Sequence, residues 1–224
     1  MGLIEPEITH QPDGLAQWIA QQLGCAPDEF SLQLVAGDAS PRRYYRVTAR
    51  HGAMTLDTRE ITSCIAMVSP ASENNEAFLH VGSRLSEAGV KTPSVWAQNI
   101  LQGWFLLEDF GDQQLLSLLS SASAPQFYKS AFAALLRQIS IPCEKAGIPQ
   151  YDAPRLRAEL EVFPEWFLAG LLRVEIDESV RQRFAALSEY LIGSVIEQPS
   201  VWVHRDFHSR NLMVLEEGEL GVID

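Results

Sequence analysis

The hydrophobic pattern of this chain changes period once, near residue 112, and that change limits the folds open to it. Before it, short apolar runs alternate with polar residues and are broken by Gly, Pro and Asn, the period-two signature of half-buried strands. Residues 30–36 read as a strand, 37–41 as a turn and 44–49 as the returning strand. Residues 61–68 supply a third strand, and 95–100 with 104–108 form a hairpin across Gln102 and Gly103. Tyr44 and Tyr45 fall on opposite faces of their strand, so one of them belongs to a core. Two helices interrupt this half: 13–23, capped by Asp13 and stopped by Gly24, and 72–88, stopped by Gly89. From Asp112 onward the apolar spacing is helical, over 126–141, 153–172 and 178–196, and Pro164 should kink or interrupt the second of these. The pattern predicts an α+β fold: a mostly antiparallel sheet with a crossing helix, followed by a mostly helical half.

One segment departs from the helical trend. Residues 201–214 read VWVHRDFHSRNLMV, and two apolar runs, 212–215 and 220–223, enclose Glu216-Glu217-Gly218-Glu219. That pattern predicts a tight β-hairpin with Gly218 in the turn. With the turn centred between Glu217 and Gly218, Asn211 falls opposite Asp224, at a cross-strand spacing of roughly 4.5–5.5 Å. An amide oxygen and a carboxylate would then converge, an oxygen-only environment that suits Mg²⁺. Asp206 would lie beside the ion without being its main ligand. His204, Asp206 and Asn211 form H-x-D-x-x-x-x-N, the spacing with which protein-kinase-type phosphotransferases deprotonate a hydroxyl and hold magnesium. Two other readings compete. The segment can be a charged surface turn. Alternatively, His204, Asp206 and His208 alternate, and an extended strand would put all three on one face, as in zinc hydrolases. The second alternative leaves Asn211 and the hairpin without a role.

Composition narrows the partners. The chain has 224 residues, 46% hydrophobic and 21% charged, enough for one large domain or two small lobes. A net charge of −12 argues against a nucleic-acid surface and against binding to anionic membranes. An acidic enzyme for an anionic nucleotide needs a local cationic patch, and Arg42, Arg43 and Arg46 are one candidate. Cys25, Cys64 and Cys143 are widely separated and match no metal spacing or disulfide frame, which points to a reducing, cytoplasmic setting. The first residues, MGLIEPEITHQ, lack the apolar run of a signal peptide, and no stretch approaches the roughly 18–20 apolar residues that span a bilayer.

Beyond the catalytic-loop motif, GDASPRRYYRV from Gly37, FLHV from Phe78, FLLEDFGD from Phe105 and ELEVFPEWFL from Glu159 occur in order along the chain. With them the chain resembles the aminoglycoside-phosphotransferase and choline-kinase superfamily, and within it the bacterial anomeric kinases of N-acetylmuramate and N-acetylglucosamine. The resemblance implies a protein-kinase-like two-lobe fold, with an N-lobe over 1–108 and a C-lobe over 109–224. It implies ATP and Mg²⁺ as cofactors and a small-molecule sugar or amino-alcohol as substrate. Gly37, Asp38, Ala39 and Ser40, with Arg42 and Arg43, would cover the ATP phosphates. Leu107, Glu108 and Asp109 would form the hinge, walling the adenine and reading its edge through the main chain. Asp206 would be the base and His204 would position its loop. Asn211 and Asp224 would hold the metal. His208, Arg210, Glu161 and Glu165 would face phosphate or substrate. Phe163 and Trp166 are expected to pack in a core rather than meet the sugar.

Two departures accompany the resemblance. Kinase-like folds usually carry a Lys on the third strand, where it pairs the α/β-phosphates and a helix Glu. Here that strand reads SCIAMV, so Mg²⁺ and arginines such as Arg42 or Arg43 would carry that charge, and Glu76 loses its partner. The family pattern also continues beyond the position of Asp224 into helices that help build the acceptor pocket. The 224 residues are therefore expected to be a truncated piece with weak or no turnover. Three readings follow: an amino-sugar kinase, a kinase for an aminoglycoside, choline or homoserine-type acceptor, and an inactive nucleotide-binding fragment or pseudokinase.

Overall fold

The computed structural model describes residues 11–35, 41–143 and 147–223. They belong to two compact units, Met1–Ile141 with Val203–Asp224, and Pro142–Trp202.

The first unit is organised by a five-stranded antiparallel sheet of order β1-β2-β5-β7-β6. Its strands are β1 (Phe30–Leu34), β2 (Arg43–Ala49), β5 (Ser63–Val68), β7 (Trp104–Leu107) and β6 (Val95–Asn99). Alternation along each strand sends successive side chains to opposite faces. On one face Tyr45, Val47, Cys64, Ala66 and Leu106 pack with Leu15, Ile19 and Leu23 of helix α1 (Leu15–Leu23). On the other, Tyr44, Ile65, Met67, Phe105 and Leu107 meet Phe78 and Leu79 of α2 (Asn75–Glu87). Tyr45 is thus the core tyrosine, buried where Tyr44 is half-buried. Each fully buried Leu or Ile on such a face contributes about 1.5–3 kcal/mol.

The predicted strands, and the helix after Asn74, are present within a few residues. The cap of α1 differs. Gly14, at φ 83°, is its N-cap, and Asp13 makes no cap. The Leu15 N–H donates instead to the Pro12 carbonyl at 3.2 Å, so a backbone turn satisfies a donor that a side chain would otherwise take. A small hairpin, β3 (Met54–Leu56) with β4 (Arg59–Ile61), was not expected. Its signal is Asp57, at φ 55°, in the two-residue turn with Thr58.

After β7 the unit continues through α3 (Leu115–Leu118) and α4 (Ala124–Ile139) and ends in the hairpin β8 (Leu212–Val214) and β9 (Leu220–Val222).

The second unit is helical: α5 (Ala153–Val162), a π-helical run Phe163–Leu171, and α6 (Glu178–Ile196). Asp152 and Asp177 accept from the N–H groups of Arg155 and Val180, at 3.1 and 2.8 Å, and cap the two α-helices. Pro164 interrupts the predicted 153–172 helix as expected, by switching it to a wider π turn. Phe163 and Trp166 are not core residues; Trp166 is 72% exposed, and Phe163 stacks on Phe167 and Phe184 at the surface. The wider turn rotates the apolar side chains off the stripe that a continuous α-helix would bury.

Candidate active site

The loop before β8 is not a strand. Residues 203–211 run as irregular backbone with Arg205 at φ 72°, so the alternation that would set His204, Asp206 and His208 on one face is absent. Among the described residues no three His, Cys, Asp or Glu side chains gather as a metal-holding group. Instead the loop closes on itself. Asn211, 4% exposed, donates through Nδ2 to the Asp206 carbonyl at 3.1 Å and to its carboxylate Oδ2 at 2.9 Å. The Asn211 N–H donates to the His208 carbonyl at 2.9 Å. His208 Nε2 lies 3.2 Å from Asp206 Oδ1, an ion pair when the ring is protonated. The Asp206 side chain is nevertheless 61% exposed. A buried amide therefore fixes a carboxylate that faces solvent. His204 packs its ring edge-on against Phe207 at 5.6 Å and stays half-buried, while Arg210 is exposed.

The register of the hairpin corrects the sequence expectation. Leu212 pairs with Val222 and Met213 with Gly221, so Ile223, not Asp224, stands opposite Asn211, and its N–H donates to the Asn211 carbonyl at 3.0 Å. The physical reason is the turn. One turn of 3-10 helix, Glu216–Gly218, with Gly218 at φ 77°, makes a three-residue loop and moves the centre of pairing by half a residue. Asp224 lies outside the described residues, as do Gly37, Asp38, Ala39 and Ser40. For a hard cation the donor set at Asn211 fits. The amide hydrogens are committed to Asp206, which leaves the amide oxygen as the atom suited to Mg²⁺.

The hairpin is joined to the sheet side of the unit. The Val222 N–H donates to the Lys91 carbonyl and the Val214 N–H to the Gln113 carbonyl, both at 2.8 Å, and the Leu116 N–H donates to the Ser209 carbonyl at 3.0 Å. The Phe110 ring lies against Gly221 so closely that a Cβ there would come within 2.5 Å of it. Lys91 caps the other end of this contact, 5.2 Å from the centroid of the Phe110 ring and 2.8 Å from Glu108 Oε1. Ser94 donates to Glu108 Oε2 from both its N–H and its hydroxyl. Burial alone would raise the Glu108 pKa, but the Lys91 ammonium and the two Ser94 donors outweigh it and hold the carboxyl below its ordinary range.

The predicted hinge residues differ in their surroundings. Leu107 ends β7 with its side chain buried, and the Glu108 N–H is committed to the Ser94 carbonyl at 2.9 Å. The Asp109 side chain, 5% exposed, is gripped by Arg46, whose Nε and Nη2 donate to Oδ2 and Oδ1 at 2.8 and 3.2 Å. Arg42 is engaged on the α2 side of the sheet. Its Nε donates to Ser69 Oγ at 3.3 Å, Glu73 lies 3.7 Å away, and the guanidinium sits over the Phe78 ring. Arg43 is exposed at the start of β2. Glu161 and Glu165 belong to the second unit, at the end of α5 and in the π-helical run. The hydrogen bonds thus bring Asp206, His208 and Asn211 together. Lys91, Phe110 and Gly221 were missed, because each acts through partners distant in sequence.

A five-stranded antiparallel sheet followed by helices and a loop in which Asn holds Asp defines a protein-kinase-like fold. The chain belongs to the phosphotransferase enzyme family APH, whose pattern matches residues 31–224. It is 35% identical over 190 residues to a Pseudomonas aeruginosa protein named N-acetylmuramate/N-acetylglucosamine kinase, covering 84% of this chain and 53% of that protein. A Pseudomonas putida protein of the same name is 34% identical over 184 residues, 82% of this chain and 51% of that protein. The chain therefore spans about half the length of these relatives. The fold is also that of the aminoglycoside phosphotransferase APH(2'')-IIa, solved as a ternary complex with streptomycin and ATP. The TM-score is 0.62 at 11% identity, over 97% of this chain and 71% of that one.

Proposed function

We propose that this protein is an ATP-dependent kinase of a small-molecule hydroxyl, with the anomeric hydroxyl of N-acetylmuramate or N-acetylglucosamine as acceptor. The observation that carries the reading is Asp206, a carboxylate open to solvent yet fixed from behind by a buried amide. The names of the Pseudomonas relatives support the acceptor. In this reading Asp206 accepts the proton of the hydroxyl as its oxygen bonds to the γ-phosphorus, while the bond from that phosphorus to the β–γ bridging oxygen breaks and ADP leaves. His208, against Asp206 Oδ1, orients the base, and His204 steadies the loop through Phe207. Asn211 and Asp224 are the residues that would hold Mg²⁺, which when bound offsets charge on the phosphate oxygens.

Residues 1–108 serve as the nucleotide lobe and 109–224 as the catalytic lobe. Gly37 to Ser40 and Arg43 face the phosphates, Arg42 supports them from its place on Ser69, and Leu107 to Asp109 border the purine. Arg210, Glu161 and Glu165 contribute to the acceptor side. The enzyme acts in the cytoplasm, in cell-wall recycling, without nucleic acid or membrane as partner. No helix among the described residues is long and apolar enough to cross a membrane.

The net charge of −12 favours a second reading with a cationic acceptor, an aminoglycoside, choline or a homoserine-type amino-alcohol. The absence of Lys from β5 favours a third, nucleotide binding without turnover. A ³¹P-detected screen of N-acetylmuramate, N-acetylglucosamine, choline and kanamycin with ATP·Mg²⁺ separates them. A sugar 1-phosphate supports the proposal. Phosphorylation of the amines alone overturns it in favour of the second reading, and a nucleotide-dependent thermal shift without any product favours the third.

A further inference from the structure

Arg46 occupies a particular place on the sheet. The register sets Gln33, Arg46, Ile65, Leu107 and Val95 in one row across all five strands, on the face away from α1. Its guanidinium does not stay over β2. It reaches the segment just after β7, where it grips Asp109 through two nitrogens and donates to Asp112 Oδ1 at 2.5 Å and to the Gly111 carbonyl at 3.0 Å. Neighbouring strands lie about 4.7–4.9 Å apart, so the side chain spans the whole width of β5 to do this. It passes over the row of Ile65, on the strand that carries no Lys.

We propose that Arg46 is a positioning residue of the nucleotide slot, pinning β2 to the segment 109–112 and so fixing the separation of the two chains between which a purine nucleotide enters. The inference rests on the kinase reading. Four donor–acceptor contacts converge on one planar group, and both carboxylate oxygens of Asp109, 5% exposed, accept from it. A Lys has the charge but not the fork, so it cannot hold Asp109 and Asp112 together. Arg46 touches no reacting atom in this scheme; it acts through the width of the slot.

The test is a fluorescence titration of the 224-residue chain with mant-ADP, alongside thermal melts. Arg46→Ala should raise the Kd by about tenfold or more, and Arg46→Lys should fall between it and wild type. Because Arg46→Ala strands an enclosed carboxylate, the pair Arg46→Met with Asp109→Leu removes both charges. That variant should melt close to wild type and still bind mant-ADP about tenfold more weakly. In the longest form of the protein that turns over, Arg46→Lys should raise KM for ATP by a larger factor than it lowers kcat, a split that loss of folded protein does not produce. A folded Arg46 variant with the wild-type Kd overturns the inference alone. Wild-type protein that fails to bind mant-ADP overturns the kinase reading, and the inference with it.

Discussion

The hinge-side network and the catalytic loop are built by opposite means. Around Asp206 every described hydrogen bond or ion pair of the carboxylate is local: Asn211 is five residues away and His208 two. Around Arg46, Lys91 and Phe110 the partners are far apart in sequence. Arg46 reaches Asp109 and Asp112, Lys91 reaches Glu108, and Phe110 meets Gly221. The loop is also open, with Asp206 61% exposed, whereas Asp109 is 5% exposed. Local and open suits a group that must meet a substrate. Distant and enclosed suits groups that hold elements in place. The two regions should therefore answer mutation differently, the loop through chemistry and the network through stability.

The largest effect belongs to the loop. Asp206→Asn, assayed in the longest form of the protein with measurable turnover, should lower kcat by about 10²–10⁴-fold while nucleotide Kd and melting temperature stay close to wild type. Undiminished turnover would remove Asp206 from the role of base.

Next comes Gly221→Ala, on the network side. The added methyl meets the Phe110 ring, and an overpacked contact of this kind costs about 1–3 kcal/mol, read from the urea midpoint. Adding Phe110→Leu should recover part of the loss. A Gly221→Ala protein as stable as wild type would show that the Phe110 contact does not hold the hairpin in place.

A smaller effect is expected for Glu108→Gln, about 1.5 kcal/mol at neutral pH, from weakening the Lys91 and Ser94 contacts. Its sign with pH is fixed by the direction of the shift. The folded carboxyl sits below its unfolded value, so the stabilisation is complete above about pH 4.3 and is lost as pH falls through the lower folded value. The variant should show a flatter acid limb than wild type.

The smallest effect concerns thiols. Burial pushes the Cys64 pKa up to about 12, and the side chain is fully enclosed, so iodoacetamide at neutral pH should label exposed Cys143 and leave Cys64 intact. Peptide mapping that finds Cys64 alkylated in the folded protein would show that the sheet core opens.

The same contrast explains what the sequence made legible. The nearness of Asp206 and Asn211 was readable from their spacing of five residues, but the hydrogen bond between them was not, since Asn211 was expected to face Asp224 across the hairpin. The strands were readable from alternation, which set Tyr44 and Tyr45 on opposite faces; that Tyr45 is the buried one follows from the packing of α1 and not from the pattern. The clamp of Arg46 on Asp109 was not readable, since nothing within 60 residues of Arg46 says which carboxylate it will meet; the run of Arg42, Arg43 and Arg46 looked like one patch, yet two of the three turn to different carboxylates and the third stays exposed. Phe163 and Trp166 misled because Pro164 announces a break but not its form, and the π turn that follows changes the face each residue occupies. The cap of α1 misled because a backbone turn did the work expected of Asp13.

The three-residue turn at Glu216–Gly218 makes the hairpin sensitive to length rather than to composition. Many side chains in that turn should be exchangeable, provided that residue 218 tolerates a positive φ. A single insertion or deletion is a different matter. It would slide β9 along β8 by one step and exchange the sides to which its residues point, driving a β9 side chain into the Phe110 ring that now lies against Gly221. Alignments across this segment that place a gap between residues 214 and 220 would therefore describe a rearranged site rather than a longer loop.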